Sequence, residues 1–66
     1  MKLCIEVRRN DSGEFIAVCL SLPGCVSSGR TAKQARENLE EAIRGYLASM
    51  NNFIPAHLHE MLEYQS

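Results

Sequence analysis

The sequence has 66 residues, 45% of them apolar, and its seven basic side chains are nearly balanced by eight acidic ones. This length predicts a single domain, residues 1–66, with a small core, because a chain of this size buries only ~60% of its unfolded surface. The apolar content excludes a disordered chain, and the near-neutral charge argues against a surface that binds nucleic acid as a whole. No apolar run approaches the ~20 residues of a membrane span, so we expect no membrane contact.

Three cysteines are present, at positions 4, 19 and 25, and none forms a C-x-x-C pair. An odd number argues against a complete disulfide framework. Because the sequence also begins without a signal-peptide pattern, we expect reduced thiols and a cytoplasmic protein.

Two strands joined by a turn are predicted at the start of the chain. Residues 2–8 alternate, with Leu3, Ile5 and Val7 on one face, which is the period of a half-buried strand. The turn residues 10–13 follow, and residues 14–20 give a second strand, so the pair predicts a hairpin.

The second strand is apolar on both faces. Its odd-numbered face carries Phe15, Ala17 and Cys19, and its even-numbered face carries three more apolar side chains, Ile16, Val18 and Leu20. Such a strand is typically central and covered on both sides. One helix covers only one face of a small sheet, so we expect a second copy or a partner protein on the other.

The stretch GCVSSGRT, residues 24–31, predicts a change from strand to helix. Pro23 and Gly24 bend the chain, residues 25–28 form a short third strand, and Gly29 allows a second bend. Thr31 then begins a helix in a capping box, in which Thr31 caps the N–H of Gln34 and Gln34 reaches back to the N–H of Thr31.

A helix of about 18–20 residues, or roughly 30 Å, is predicted from Ala32 to Asn51-Asn52. Glu40 and Arg44 form a favourable i,i+4 pair, and Gly45 weakens the helix by ~1 kcal/mol relative to alanine. The apolar stripe consists of Ala35, Leu39, Ala42, Ile43, Tyr46, Leu47 and Met50.

Residues 54–64 fit two structures, and the sequence alone leaves both open. Ile54, Leu58, Met61 and Leu62 are spaced like one face of a short helix, with Pro55 in its first turn, whereas 61–64 also fit an edge strand. The predicted fold is therefore α+β: a three-stranded antiparallel sheet packed by one long helix (β-β-β-α), with a short C-terminal element that is an edge strand or a short helix.

GCVSSGRT also differs by one residue from the phosphate-loop pattern G-x-x-x-x-G-K-[ST]. Arg30 replaces the lysine, and its planar fork is a poor substitute for a point charge among phosphates. The only aspartate, Asp11, precedes the loop, so the sequence lacks a later metal-binding aspartate. We therefore favour a turn and a helix cap, and predict no cofactor.

The other candidate catalytic and metal-binding residues lack the partner residues that such sites need. Cys25 has only His57 and His59 as candidate bases, so a buried apolar role is favoured over a nucleophile. The two histidines lack a third metal ligand at a convincing spacing. The glutamates at positions 6, 14, 37, 40 and 41 lie mostly on the polar helix face, where solvation is the ordinary role. We predict no catalytic residue, no metal site and no enzyme activity.

A series of residues resembles the HicB-like family, the antitoxin-type domains of HicAB toxin–antitoxin pairs and their stand-alone relatives. The series covers roughly residues 2–50. It comprises Leu22-Pro23-Gly24-Cys25, Gly29-x-Thr31 and Ala35-x-x-Asn38-Leu39-x-x-Ala42-Ile43-x-x-Tyr46-Leu47. Ser21 stands where the family often has an acidic residue, and Gln34 stands where glutamate is common.

The resemblance implies a β-β-β-α core with a further short strand, similar to a reduced ribonuclease-H-like or double-stranded-RNA-binding domain. It also implies assembly into dimers or larger oligomers. It further implies binding to a HicA-like mRNA-cleaving toxin, whose active site the antitoxin-type domain masks. Complete antitoxins carry a separate DNA-binding domain. This sequence ends at Ser66, so we expect no direct DNA binding.

The leading hypothesis is thus a non-enzymatic antitoxin-type protein that oligomerises and neutralises a toxin ribonuclease. The alternative is a degenerate ribonuclease-H-like or RNA-binding domain acting alone. It rests on two small basic patches, Arg8-Arg9 and Arg30–Arg36, whose few phosphate contacts predict weak, salt-sensitive RNA binding.

The capping role of Thr31 gives a first testable prediction. Thr31→Ala should lower the free energy of unfolding by about 1 kcal/mol, because the helix loses its N-terminal cap. Chemical denaturation measures this loss. ATP should leave the melting temperature unchanged, and an ATP-dependent rise would instead support a phosphate loop.

Overall fold

The computed structural model describes residues 2–51 and 57–65, which form one sheet and two helices. The sheet has the strand order β3-β2-β1-β4. In chain order the elements are β1 (Leu3–Arg9), β2 (Phe15–Cys19), β3 (Val26–Gly29), α1 (Ala32–Asn51), α2 (Leu58–Met61) and β4 (Leu62–Gln65). The α+β class, the hairpin and the long helix are confirmed.

The three predicted strands pair antiparallel as expected, but the sheet has a fourth, parallel strand, so the prediction of a three-stranded antiparallel sheet is corrected to a four-stranded mixed one. β2 pairs antiparallel with β1 and with β3, but β4 pairs in parallel with β1, placing Leu62 opposite Leu3 and Tyr64 opposite Ile5. A parallel pair needs a long crossover, and α1 lies within the connection between these two strands. The sequence allowed an edge strand here, but four residues carry no signal for the strand with which they pair or for its direction.

The C-terminal segment contains both of the elements that the sequence left open. Residues 58–61 form the single turn of α2, in which Leu58 and Met61 are buried, and β4 follows directly as an edge strand. The predicted contributions of Ile54 and Pro55 lie outside the described residues.

The core lies between α1 and one face of the sheet. The helix contributes four buried side chains from the predicted stripe, and Ala42 and Tyr46 pack against them while partly exposed. The buried apolar residues are Leu3, Ile5, Ala17, Cys19, Cys25, Ala35, Leu39, Ile43, Leu47, Leu58 and Met61.

Met50 departs from the predicted stripe, because its side chain is 65% exposed. The 20 residues of α1 span about 30 Å, whereas the seven residues of β1, the longest strand, span about 23 Å. The helix is therefore longer than the sheet that it covers, and a side chain in its last turn finds no strand beneath it.

Of the two hydrogen bonds predicted for the capping box of α1, one is confirmed and the other has a different donor. The Gln34 N–H donates to Thr31 Oγ1 at 3.0 Å, as the capping box predicts. The Gln34 side-chain oxygen instead accepts from the N–H of Arg30, at 2.8 Å. Both bonds still satisfy backbone donors at the helix start, where intrahelical partners are lacking.

Two contacts fix α1 against the edge strand β3. At Gly29 the helix backbone comes so close that an added Cβ would lie 2.6 Å from the backbone nitrogen of Ala35. Nine residues further along the chain, the Asn38 side-chain amide donates to the backbone oxygen of Ser28 at 2.8 Å. Gly29 is therefore needed for space beside the helix, and not for the bend that the sequence suggested.

The contact at Gly29 predicts a large difference between two glycine-to-alanine substitutions. Gly29→Ala should lower the free energy of unfolding by several kcal/mol, because a backbone atom of the helix has to shift. Gly45→Ala is the matched control, since open space surrounds its Cβ position, and it should add about 1 kcal/mol through helix propensity. Urea denaturation of both variants measures this. Equal effects would contradict the close packing.

Candidate functional site

A groove lies beside β4, because α1 sits off-centre on the sheet. The helix packs chiefly against β3 and β2 and only lightly against β1. The helix does not extend over Tyr64 of β4, and an open groove of about 430 Å³ lies between this side chain and α1. The groove is lined by Lys33, Arg36, Glu37, Glu40, His59 and Tyr64.

The groove continues at its basic end into a pocket of about 320 Å³, and Arg36 and Tyr64 line both. The guanidinium of Arg36 lies 5.3 Å from the ring centre of Tyr64, and that of Arg9 lies 5.8 Å from the ring centre of Phe15. Both distances suit cation–π attraction. The other lining residues are Val7, Arg8 and Ala32.

These two guanidiniums lack acidic partners among the described residues. The ion pairs of that part of the chain join Lys2 to Glu63, Arg8 to Glu6, and Glu40 to both Arg44 and His59. Arg9 and Arg36 therefore give the basic end of the groove a positive charge that no described side chain neutralises.

The other end of the groove is built around Glu40. Its Oε1 lies 2.6 Å from Nδ1 of His59, and its Oε2 lies 3.3 Å from a guanidinium nitrogen of Arg44. The hydrogen bond from His59 lowers the pKa of Glu40, against the opposing effect of partial burial, and Arg44 lowers it further. This end of the groove therefore keeps an ionised carboxylate.

Tyr64 lies between the two ends. Partial burial raises the pKa of its hydroxyl, the negative charge of Glu40 raises it further, and the positive charge of Arg36 opposes the rise. Tyr64 as a residue is 40% exposed, which leaves part of its surface open to a ligand. The groove thus combines a cationic end, an aromatic centre and a carboxylate end, an arrangement suited to binding an anion with a ring attached.

A second candidate surface is the sheet face that α1 does not cover. Strand register places Ile16 and Val18 of β2 on this face, with Val26 of β3 opposite Val18. Leu20 and Val26 are 54% and 53% exposed, and Ile16 and Val18 are half-buried. The prediction that the second strand has two apolar faces, of which one helix covers only one, is confirmed.

Comparison with known proteins finds two archaeal relatives. A UPF0150 protein from Thermoplasma acidophilum is 36% identical over 50 residues, which are 76% of this chain and 72% of that protein. The chain belongs to the UPF0150 family. A UPF0150 protein from Archaeoglobus fulgidus is 31% identical over 52 residues, 79% of this chain and 75% of that protein. No family model and no solved structure matches the chain.

In this UPF0150 protein the phosphate-loop pattern does not form a loop. Residues 26–29 of the pattern are the strand β3, whose backbone pairs with β2 and is thus not free to surround a phosphate. Gly24, with φ of +83°, makes the bend before it, and Arg30 and Thr31 follow at the helix start. The structure therefore shows a turn, a strand and a helix cap in these residues, as predicted in preference to a phosphate loop.

Cys25 is 5% exposed and precedes β3. Burial raises the pKa of its thiol, and the neighbouring Cys19 adds to this, so the sulfur is held as a neutral thiol, as expected for a small buried hydrophobe.

Within residues 2–51 and 57–65, His57 and His59 join no group of three or more side chains suited to a metal ion. Neither described helix is long and apolar enough to cross a bilayer.

The sequence interpretation missed the groove itself. The sequence patterns place Arg36 in a small basic patch and Glu40 on a solvated helix face. They offer His59 only as a base or a metal ligand, and they place Tyr64 in a segment that fits either a helix or a strand. The available signal was the alternation Leu62-Glu63-Tyr64, which predicts that Leu62 and Tyr64 share a face. Nothing in that pattern indicates that this strand joins β1 in parallel and brings Tyr64 to the helix.

The interaction of Glu40 with His59 predicts a pH dependence. The pKa of Glu40 in the folded protein lies below the ordinary 4.5, so its stabilising effect is complete above about pH 4.5 and is lost as the pH falls through the lowered value. Glu40→Gln should therefore reduce the loss of stability below pH 4.5 in urea unfolding. Glu41→Gln, a neighbouring exposed carboxylate, should keep the wild-type slope, and equal slopes for all three proteins would contradict the role of Glu40.

Proposed function

We propose that this UPF0150 protein is a non-enzymatic, HicB-like interaction module, which associates with itself and masks the site of a small toxin ribonuclease. The observation that carries the proposal is the apolar sheet face formed by Ile16, Val18, Leu20 and Val26, which lies opposite the helix. A small domain gains stability when a second copy covers such a face.

The sheet face is suited to a second copy of the same chain. Its apolar side chains lie on neighbouring strands, and its charged neighbours Glu6 and Arg8 already form an ion pair with 2.6 Å between Arg8 Nε and Glu6 Oε1. Two such faces can approach to the usual ~10 Å of stacked sheets. Glu6 and Arg8 then enter the interface as an ion pair, and neither charge is left without a partner.

The toxin-binding part of the proposal rests on the HicB-like motif series together with surface charge. Many residues of that series have structural roles: Gly29 admits the helix, Asn38 binds the backbone of β3, and others form the helix cap and the core. The exposed carboxylates of Glu37, Glu41 and Glu60 add negative charge to the outer surface of the helices. A ribonuclease needs a basic surface for RNA, and opposite charge favours its encounter with these carboxylates.

Self-association is tested by measuring mass with light scattering. The wild-type chain should exceed its monomer mass of 7.4 kDa, and the double variant Leu20→Lys/Val26→Lys should be a monomer with an unchanged circular dichroism spectrum. Both side chains are more than half exposed, so the fold should tolerate the change. Met50→Lys is the control, because it alters an exposed apolar residue of α1 and should leave the mass unchanged. A monomeric wild-type protein would contradict the proposal.

Toxin binding is tested by affinity capture from the native host, followed by an activity assay of the captured protein. The proposal predicts a small protein that cleaves mRNA and is inhibited when this chain is added in equimolar amount. Capture of no protein, or of one whose RNA cleavage is unaffected, would contradict the antitoxin role.

A further inference from the structure

We propose that the basic end of the groove, around Arg9, Arg36 and Tyr64, binds the phosphate and base of a nucleotide, either free or within single-stranded RNA. This site goes beyond the protein-binding role proposed above. Arg36 and Tyr64 lie away from the apolar sheet face, whereas Arg9, at the end of β1, lines cavities on both sides of the sheet. The site lies on the helix side of the sheet, whereas the proposed self-association face lies on the opposite side.

The first argument is uncompensated charge. Arg36 is half-buried on α1, and neither it nor Arg9 has a carboxylate partner in the part of the chain that the structure describes. A charge that is partly removed from water is unfavourable without a counter-charge. A bound phosphate would supply it to both guanidiniums, which line the same pocket.

The second argument is the orientation of the guanidiniums. Arg36 lies over the ring of Tyr64 and Arg9 over the ring of Phe15. A guanidinium that uses its face for an aromatic ring still has its edge N–H groups free to donate two parallel hydrogen bonds to a phosphate. The rings thus hold both cations in place without consuming their donors.

The third argument distinguishes a nucleotide from an acidic peptide. Tyr64 is 40% exposed beside Arg36, and bases stack on tyrosine rings and on arginine planes, whereas a carboxylate side chain gains nothing from an aromatic surface. The pocket volume of about 320 Å³ is at the small end of ligand sites and suits one nucleotide.

The carboxylate end of the groove sets a direction for a bound strand. Glu40 is held ionised and disfavours phosphate near His59. A strand bound at Arg9 and Arg36 would therefore leave the groove away from His59, and not along α1 toward Glu40.

The test is fluorescence polarisation with a labelled single-stranded RNA of about ten nucleotides, measured over a salt series. Arg9→Gln and Arg36→Gln should each weaken binding and lower the slope of log K against log salt by about 0.7, the value for one lost phosphate contact with a single strand. Tyr64→Leu should lower affinity about fivefold or more while leaving the salt slope unchanged. Arg30→Gln is the control, because it removes the same charge from an exposed side chain that lines neither the groove nor the pocket, and it should have little effect.

Competition identifies the source of the phosphate. Displacement of the RNA by AMP at comparable concentration would assign the site to a free nucleotide, and displacement only by longer RNA would assign it to a strand. Inorganic phosphate alone should compete weakly, because it lacks a base. No RNA or AMP binding at low salt, equal losses for Arg30→Gln and Arg36→Gln, or equally tight binding of polyglutamate would overturn the proposal. Light-scattering masses of the groove variants should match the wild type, which separates this result from the self-association test.

Discussion

The close contact between α1 and β3 determines how the rest of the molecule is arranged. At Gly29 the two backbones meet without a side chain between them, and Asn38 ties the helix to the backbone of Ser28 one turn further along. These contacts hold the helix over the edge strand β3 and its neighbour β2. A helix about 10 Å wide so placed does not reach across four strands spaced about 4.8 Å apart. The position of one glycine therefore decides which part of the sheet is core and which part is left open.

Two exposed surfaces with different chemistry result from this placement. On the helix side, the uncovered strand β4 and the flank of α1 enclose a groove whose lining is charged and aromatic. On the opposite side, the sheet presents an apolar surface formed by β2 and β3. The charged and aromatic lining of the groove favours charged ligands, whereas the apolar sheet surface favours burial against another protein surface. The two surfaces lie on opposite sides of one thin sheet and meet at the end of β1, where Arg8 and Arg9 line cavities on both sides.

The sequence predicted those parts of the fold in which a local pattern is long enough to be read. The alternation through Leu3, Ile5 and Val7, the turn at Asn10–Gly13 and the helical stripe from Ala35 to Leu47 all correspond to observed elements. It failed where the decisive contact is distant or the segment is short. The parallel pairing of Tyr64 with Ile5 depends on residues at opposite ends of the chain, and the exposure of Met50 depends on the relative lengths of helix and sheet. The groove could not be predicted because it exists only after β4 has paired.

The pairing of β4 with β1 has a consequence for how this molecule folds. Leu62 lies opposite Leu3, so this contact closes a loop of almost the entire chain, whereas the hairpin and the contacts of α1 with β3 close much shorter ones. Long-range closure is entropically the most demanding step and is expected to occur last. β4 is also an edge strand of four residues, paired on one side only. The groove exists only where the two chain ends are joined, so any ligand that binds there also fastens the end of the chain to its beginning.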